Sequence, residues 1–362
     1  MVSIQPVRVG LVVGQLSTGG AEGQLLQASR GLDRRRFVPT VYCLSRQVHP
    51  IGPLLQREGV TLRVAPRPGL ARVRWLAGQM AADRIDLVHA WLYIANALAW
   101  SATRLMKRRT LVTSARNCKV QSRVSQVANC LAFRGSRAIV VNSHDVANYI
   151  VRHYRAPRDR IRVVYNGIDI DRFHPVGVAG EAPGPIVTVG RLVGQKNHDL
   201  FLRAAAALAQ QATAVRFTLV GDGPLRATLE ATAHSLGIGE RVEFLGERGD
   251  IENVLRGASQ FWLTSRWEGM PNVVLEAMAS GVPVLATDVG GVRELIRDGV
   301  DGFVLPADDA VGFARQAHLL LGDHVRLAAF KAAARARAEL FATPRMVEAL
   351  ACLYEEVLDQ KQ

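Results

Sequence analysis

Short apolar runs rich in β-branched residues alternate with longer amphipathic stretches along the whole chain. Such runs are typical of strands buried in a parallel sheet, and stretches such as HDLFLRAAAALAQQ from His198 have the apolar spacing of connecting helices. The predicted strands are VRVGLVV from Val7, VPTVYCL from Val38, IDLVHA from Ile85, TLVTSA from Thr110, AIVVNS from Ala138, PIVTVG from Pro185, FTLVGDG from Phe217, VEFLGE from Val242, QFWLTS from Gln260 and VPVLATD from Val282.

This alternation predicts an α/β fold with two doubly wound, Rossmann-like domains that face a cleft. The Pro- and Gly-rich segment 171–184 is predicted to link them. The first domain would then cover residues 1–170 and the second residues 171–345. Residues 346–362 are predicted to form a closing helix that packs back on the first domain. In open α/β sheets ligands bind at the carboxyl ends of the strands, so the loops that follow the strands are the places to search for chemistry.

Charge is distributed unevenly. The chain of 362 residues has a net charge of +13; residues 1–170 contribute +18 and residues 171–362 contribute −5. A basic half attracts nucleic acid, an anionic membrane surface or a phosphorylated substrate. No apolar run reaches the roughly 18 residues that span a bilayer. The cysteines form no C-x-x-C pair, so no zinc site or disulfide framework is expected and a cytoplasmic protein is predicted.

Two carboxylates follow the strand QFWLTS. Glu268 lies in a loop, Pro271 suits the first position of a helix, and Glu276 is expected about 7 Å further along the helix axis. The N–H groups of Asn272 and Val273, at the start of that helix, would attract an anion. Carboxylates beside that anion are favourable if they accept hydrogen bonds from sugar hydroxyls. The alternative is that Glu268 is an ordinary loop acid and Glu276 a solvated helix residue. Spacing alone favours the two interpretations equally.

Two cations follow the strand PIVTVG. Arg191 and Lys196 flank a loop that precedes a helix, and together they could hold a diphosphate, the arginine by its fork and the lysine as a point charge. Two solvated loop cations are the commoner interpretation of such a pair when it is taken alone. In combination with the two glutamates, the diphosphate site is favoured.

These residues carry a resemblance to a known family. The spacing E-x7-E from Glu268 to Glu276, the following AMASGVPVLATDVGGVREL, the segment GRL with a lysine five residues after its arginine, VGDGPLR, VEFLG and VVYNGID resemble glycosyltransferase family 4, of GT-B fold. The likeness is specific over residues 163–306. It is looser in the first half, where STGGAE from Ser17, VHAWLYIAN from Val88 and VNS from Val141 carry it.

The resemblance implies a retaining transfer of a sugar from a nucleotide-diphosphate donor, without a metal or other cofactor. It places Glu276 at the ribose and Glu268 against the donor sugar, and it assigns Arg191 and Lys196 to the departing diphosphate. Further donor-binding residues would be Gly19, Gly20, Gly221, Gly269, Met270, Pro271 and Asn272. The expected acceptor is a glycan or a lipid-linked molecule of cell-surface polysaccharide, lipopolysaccharide or glycolipid synthesis.

One departure from the family concerns the first domain. Many members have a histidine two positions after the one that matches His89, and this chain has Trp91 there. His89 is a candidate catalytic residue that could take over a polar contact to the sugar, and a structural histidine is the alternative. Arg116, Asn117 and Cys118 could line the acceptor side, with solvated loop residues as the alternative.

Other functions were weighed against this one. A GT-B nucleotide-sugar epimerase could share the donor site but would need no acceptor. A nucleic-acid-binding protein would suit runs such as Arg34–Arg36 and KRR from Lys107, but few aromatic residues accompany the basic clusters and no binding module is present, so no nucleic-acid partner is expected.

The basic half is predicted to work at an anionic membrane surface as a peripheral protein. The segment RPGLARVRWLAGQM from Arg67 could place Leu70, Val73, Trp75, Leu76 and Met80 on one apolar side, with Arg72 and Arg74 near headgroups. A helix packed on its own sheet is the alternative.

Overall fold

The computed structural model describes residues 5–66, 69, 71–106, 110–118, 122–175 and 184–359. Two compact units divide the chain. The first comprises Met1–Gly167 together with Thr343–Gln362, and the second comprises Ile168–Ala342. The predicted linker lies partly outside the described residues.

The first unit is built on a seven-stranded parallel sheet with the order β3-β2-β1-β4-β5-β6-β7. Its strands are β1 (Val7–Val13), β2 (Phe37–Cys43), β3 (Thr61–Val64), β4 (Leu87–Trp91), β5 (Thr110–Ala115), β6 (Ala138–Val141) and β7 (Ile161–Val163). Its helices are α1 (Gly20–Gly31), α2 (Ile51–Arg57), α3 (Ala71–Ala82), α4 (Tyr93–Leu105), α5 (Arg123–Gly135), α6 (His144–Tyr154) and, from the end of the chain, α14 (Thr343–Asp359).

Both faces of this sheet are covered by helices. Val9, Leu11 and Val13 of β1 pack in a core that includes residues of α1 and α14. Val12, on the opposite side of the same strand, packs with residues of α3 and α4. Because successive side chains of a strand point to opposite faces, a strand covered on both sides must be apolar where it is covered, which is the pattern of β1 from Val9 to Val13.

The second unit repeats the arrangement with six parallel strands in the order β10-β9-β8-β11-β12-β13. The strands are β8 (Ile186–Val189), β9 (Phe217–Val220), β10 (Val242–Gly246), β11 (Gln260–Leu263), β12 (Val284–Thr287) and β13 (Gly302–Leu305). The helices are α7 (His198–Ala209), α8 (Arg226–Ser235), α9 (Ile251–Arg256), α10 (Asn272–Ala279), α11 (Val292–Leu295), α12 (Ala310–Gly322) and α13 (His324–Glu339).

In each sheet the strand order reverses beside the first strand, between β1 and β4 in one unit and between β8 and β11 in the other. The doubly wound class predicted from the sequence is therefore confirmed. All the predicted strands form, whereas β3, β7 and β13 were not predicted. These three lie at sheet edges. β3 and β7 are partly solvated, so they lack the fully buried apolar run that identifies a central strand.

The end of the chain packs within the first unit. On α14, the side chains of Met346, Leu350 and Tyr354 are buried in the core that also holds α1. Arg36, just before β2, forms ion pairs with Glu348 and Glu355 on the outer side of the helix, at 3.3 and 2.9 Å. The apolar packing contributes more to stability than these half-exposed ion pairs.

The structure corrects the predicted membrane-facing segment. Leu76 and Met80 of α3 are fully buried, and Val73 and Trp75 are partly buried against the same core. The apolar side of α3 therefore faces its own sheet, which was the alternative interpretation. Arg67 and Leu70 of that segment, and the basic run 107–109, lie outside the described residues. Over the residues that are described, no helix is both long and apolar enough to span a bilayer.

Candidate active site

Two loops meet at the strand-order reversal of the second sheet. One follows β8 and the other follows β11, and these strands are neighbours. The backbone N–H of Arg266 donates to the Gln195 carbonyl at 2.8 Å, and the Gln195 side chain donates to the Trp267 carbonyl at 3.0 Å. Thr264 Oγ1 donates to the Lys196 carbonyl at 3.1 Å. The two loops are thus held side by side where ligands of this fold class bind.

An ion pair joins the two loops. Lys196 Nζ lies 2.6 Å from Glu268 Oε1, and Ser265 Oγ donates to the same oxygen at 2.7 Å. The two charged side chains are only 17% and 10% exposed, so this is a charge-assisted hydrogen bond screened little by water. Oε2 of Glu268 forms no hydrogen bond with the described residues, which leaves it able to accept one from a ligand.

Arg191, the second predicted cation, differs from Lys196 in its exposure and its contacts. Arg191 follows β8 and is exposed, and no hydrogen bond or ion pair links its guanidinium to another described residue. One of the two cations is therefore paired and the other is open to solvent. A diphosphate would meet Arg191 directly and Lys196 as a partner shared with Glu268.

Glu276 lies one and a half turns into α10, which Pro271 precedes at the N-cap position rather than at the predicted first helical position. Its side chain is partly exposed. Burial raises the pKa of Glu276 to about 7, the positive charge of Arg172 opposes the increase, and the negative charge of Glu252 adds to it. A carboxyl group with this pKa changes its charge near neutral pH, and hydroxyl donors would stabilise its ionised form.

Glycines allow the backbone of these loops to pack closely. Gly221, after β9, has φ +131°, and a Cβ there would lie 2.1 Å from the Gly190 carbonyl oxygen. Gly290 has φ +54°, and a Cβ there would lie 2.5 Å from the Glu268 carbonyl oxygen. Both positions combine a left-handed backbone with contact to another main chain, so only glycine fits without displacing a site loop.

A buried histidine near the site was missed by the sequence reasoning. His198, at the start of α7, is buried, and neither ring nitrogen has a hydrogen-bond partner within the described ranges. Burial lowers its pKa to about 4, Lys196 contributes in the same direction, and the nearby carbonyls of Arg191 and Gly190 oppose the shift only in part. The ring is therefore neutral at physiological pH and adds no charge beside Lys196. Only its position two residues after Lys196 could have indicated it.

The predicted residues thus divide between the two units. The second unit holds Arg191, Lys196, Gly221, Glu268, Gly269, Met270, Pro271, Asn272 and Glu276, all at or after the carboxyl ends of its strands. Gly19, Gly20 and His89 belong to the first unit. Gly19 is the N-cap of α1, and both glycines expose their backbone at the helix N-terminus.

His89 lies within the core of the first unit. Its Nδ1 is 2.7 Å from the hydroxyl of Tyr354 and its Nε2 is 3.0 Å from Ser114 Oγ. Burial holds its pKa well below the ordinary value, with the charge of Arg116 acting in the same direction. A neutral ring with both nitrogens occupied favours the structural alternative over a substrate contact.

The other first-unit candidates are also largely within the fold. Arg116 is buried, Asn117 accepts a hydrogen bond from Tyr93 through its carbonyl, and Cys118 contacts Asp145 at 3.5 Å. The alternative of solvated loop residues is wrong for Arg116. Among the described residues, no three His, Cys, Asp or Glu side chains are grouped as metal ligands.

Two parallel, doubly wound sheets, with paired acids and cations at the reversal point of the second, define the GT-B class of sugar-transferring folds. A family model described as Glycosyl transferases group 1 matches residues 184–323, and one described as Glycosyltransferase Family 4 matches residues 18–172. The chain belongs to glycosyltransferase family 4.

Similarity to individual proteins supports the assignment to this family. A D-inositol 3-phosphate glycosyltransferase of Nocardia farcinica is 34% identical over 303 residues, which cover 75% of this chain and 67% of that protein. The Vi polysaccharide biosynthesis protein VipC/TviE of Salmonella typhi is 38% identical over 184 residues, covering 47% of this chain but only 31% of the relative. The structure of Anabaena Alr3699/HepE in complex with UDP matches with a TM-score of 0.85 at 23% identity and covers 97% of this chain and 100% of that one, which shows the shared fold.

The packing of Gly221 can be tested on stability. Gly221→Ala should lower the free energy of unfolding by about 1–3 kcal/mol, because the new methyl group forces both a strained φ and a contact with the Gly190 carbonyl. Gly194→Ala is the matched control, since a Cβ at Gly194 meets no atom within 4 Å. Urea unfolding followed by circular dichroism measures both variants. Equal stability of the two would show that the close approach at Gly221 is absent.

Proposed function

We propose that this protein is a retaining glycosyltransferase that moves a hexose or N-acetylhexosamine from a nucleotide-diphosphate sugar to a glycan or lipid-linked acceptor. The observation that carries the proposal is the Lys196–Glu268 pair beside the open guanidinium of Arg191, at the reversal point of the second sheet. The relatives support it, because their names describe glycosyl transfer and polysaccharide biosynthesis.

The diphosphate of the donor would bind at the start of α10 and beside the two cations. The first N–H groups of a helix have no partner within the helix and attract anions. Arg191 and Lys196 would supply two positive charges as the bond between the sugar and the diphosphate breaks and negative charge grows on the leaving oxygen. Interactions that strengthen at that moment lower the barrier, so these cations would act in catalysis more than in binding.

The two carboxylates would accept hydrogen bonds from hydroxyl groups of the donor. Glu276 is proposed to accept hydrogen bonds from the ribose, and Glu268 from the donor sugar through its unoccupied oxygen. Lys196 has three N–H donors, so it can keep Glu268 in place while it contacts a phosphate oxygen. In this proposal the ion pair positions the sugar relative to the bond that breaks.

A panel of nucleotide sugars, screened for protection against thermal unfolding, tests the donor assignment, since ligand binding to the folded state alone raises its stability. Product analysis with the protecting donor then separates transfer from epimerisation. Sugar transfer requires an acceptor, whereas an epimerase would convert the donor alone.

The two glutamates should differ in kinetic effect. Glu276→Ala should weaken donor binding, at a cost of about 1.5–3 kcal/mol in binding free energy for a lost charged hydrogen bond. Glu268→Ala should mainly lower kcat, at a cost of about 1.5–3 kcal/mol in activation free energy for the same reason.

The pH dependence of donor binding tests Glu276 separately. Donor affinity should rise between about pH 6 and pH 8, because the ionised form of Glu276, whose pKa is about 7, accepts the ribose hydroxyls. Glu276→Gln should abolish that pH dependence. Calorimetry and initial rates measure these quantities, with the exposed Glu247→Ala as control; full activity of both alanine variants at the wild-type donor level would contradict the roles.

The cations should control turnover. Arg191→Ala should lower kcat by orders of magnitude without unfolding the protein, and wild-type activity should survive EDTA, because Arg191 and Lys196 neutralise the leaving diphosphate. Arg216→Ala is the control. Arg216 is an exposed arginine just before β9, so it lies at the amino ends of the strands, whereas Arg191 lies at their carboxyl ends. A strict requirement for added magnesium or manganese would overturn this assignment.

We also propose that the first unit works at an anionic membrane surface, through α5 instead of α3. On α5, Val124, Val127 and Leu131 lie on one side and are 82%, 62% and 44% exposed, and the exposed Arg123 and Arg134 lie at the two ends of the helix. An apolar stripe with basic ends suits the interface of an anionic bilayer. Each basic side chain near such a surface contributes about 1 kcal/mol, which salt screens.

Flotation with vesicles checks this surface. Recovery with vesicles that contain anionic phosphatidylglycerol should exceed recovery with neutral phosphatidylcholine, should fall as salt rises, and should fall in the Val124→Ser/Val127→Ser double variant. Val311→Ser is the matched control, because Val311 is 72% exposed on α12 of the second unit. Equal recovery with both lipids, or none with either, would mean that the basic unit serves a soluble acceptor.

A further inference from the structure

Arg116 is a buried cation without a counter-ion. It follows β5 directly and is 6% exposed. Burial lowers its pKa to about 10, so the guanidinium remains charged at neutral pH. No ion pair joins it to a carboxylate of the described residues. A charge in the interior normally has an opposite charge or a full set of hydrogen bonds, because the cost of removing it from water is several kcal/mol.

The contacts of Arg116 involve only part of its guanidinium group. Nη1 donates to Asn166 Oδ1 at 2.9 Å, and the guanidinium carbon lies 4.0 Å from the centre of the Trp91 ring. The ring covers the face of the guanidinium and the amide takes one nitrogen. Nε and Nη2, which form the other edge, have no hydrogen-bond partner among the residues that the structure describes. Two parallel N–H groups on one edge are the geometry that binds two oxygens of a carboxylate or phosphate.

A second unpaired donor lies in the same place. The indole Nε1 of Trp91 is buried and also has no hydrogen-bond partner in the described part of the chain. Trp91 ends β4 and Arg116 follows β5, and these strands are adjacent, so both donors lie at the carboxyl ends of neighbouring strands. His89, beside them, is neutral and has both nitrogens occupied, so it supplies no acceptor.

We propose that Arg116 and Trp91 form a binding site for a phosphate-type oxyanion in the first unit, carried by the acceptor as a phosphate ester or a diphosphate. The assignment to the acceptor rests on the proposed function. Asn142 Nδ2 donates to the Arg116 carbonyl at 3.3 Å, and its Oδ1 is a buried acceptor without a partner among the described residues. The unpaired N–H donors of Arg116 and Trp91 outnumber that acceptor and favour an anion, and the fork of an arginine matches the tetrahedral oxygens of phosphate. The unpaired nitrogens of Arg116 and Trp91 are shielded from solvent in this conformation, so binding of an anion requires neighbouring side chains to move.

The experiment observes the indole N–H of Trp91 by NMR in 15N-tryptophan-labelled full-length protein. Its signal is identified among the five tryptophans by Trp91→Phe. Inorganic phosphate and inorganic pyrophosphate are added in separate titrations, with acetate as a third. The signal should shift and saturate with a phosphate compound. Tighter binding of pyrophosphate supports a diphosphate acceptor, and binding of phosphate at least as tight supports a phosphate ester.

Variants connect the signal to Arg116. Arg116→Gln should weaken the binding about tenfold to hundredfold, as expected for a lost charged hydrogen-bond pair. Arg152→Gln, which removes one exposed positive charge from the same unit, should leave it unchanged. Arg191→Ala should also leave it unchanged, because Arg191 belongs to the second unit. If Arg116→Gln does not fold, Arg116→Lys keeps the charge, loses the fork and should still weaken binding.

A Trp91 signal that ignores both phosphate compounds, responds only to acetate, or responds equally in wild type and the Arg116 variants would overturn the proposal. The titration needs no nucleotide and reports from the first unit. Its failure is therefore distinguishable from a failure of sugar transfer, which is read from product formation.

Discussion

The ion pair between Lys196 and Glu268 is the interaction on which the second unit depends. It joins the loops that follow two neighbouring strands at the reversal point of the sheet, and the backbone contacts around it bring those loops close enough to pair. Gly290, in the loop after β12, lets a third loop pack against the Glu268 loop, because any side chain there would collide with the Glu268 carbonyl. The pair is well shielded, so breaking it by removing one partner would leave a poorly hydrated charge. A ligand that binds here meets side chains that this ion pair holds in place.

The same loops combine opposite charges without neutralising the site. Lys196 is committed to Glu268, whereas Arg191 is open, so a bound anion meets one free cation and one shared cation. Glu276 has a raised pKa and therefore exists partly as the neutral acid near pH 7, which reduces its repulsion of a nearby phosphate. Hydroxyl donors shift it toward the ionised form. Nucleotide sugars offer phosphate and hydroxyl groups together, which is the combination that this set of residues fits.

Central strands and loop motifs could be predicted from the sequence because their signals are local. A strand such as β1 is buried on both faces and apolar from Val9 to Val13, and the spacing of Glu268 and Glu276 is visible within one segment. The edge strands β3 and β7 lack that burial and were missed. The apolar side of α3 was identified but assigned to a membrane, because periodicity shows that a face is apolar and not what covers it. The partners of His89 come from Ser114 and from Tyr354 near the end of the chain, a contact that no local pattern reveals.

Two polar side chains in the interior of the first unit, His89 and Arg116, differ in how completely they are hydrogen-bonded. Both nitrogens of His89 are hydrogen-bonded by hydroxyl groups from separate elements. Arg116 carries a full charge and loses more by burial, yet Nε and Nη2 of its guanidinium have no partner among the described residues, and the Trp91 ring that it contacts carries another unpaired donor. A core that only needed stability would place an apolar side chain there at lower cost. An arginine supported on its face by Trp91 and at one nitrogen by Asn166 is instead held in orientation for an oxyanion, and the basic character of residues 1–170 favours the approach of such a group.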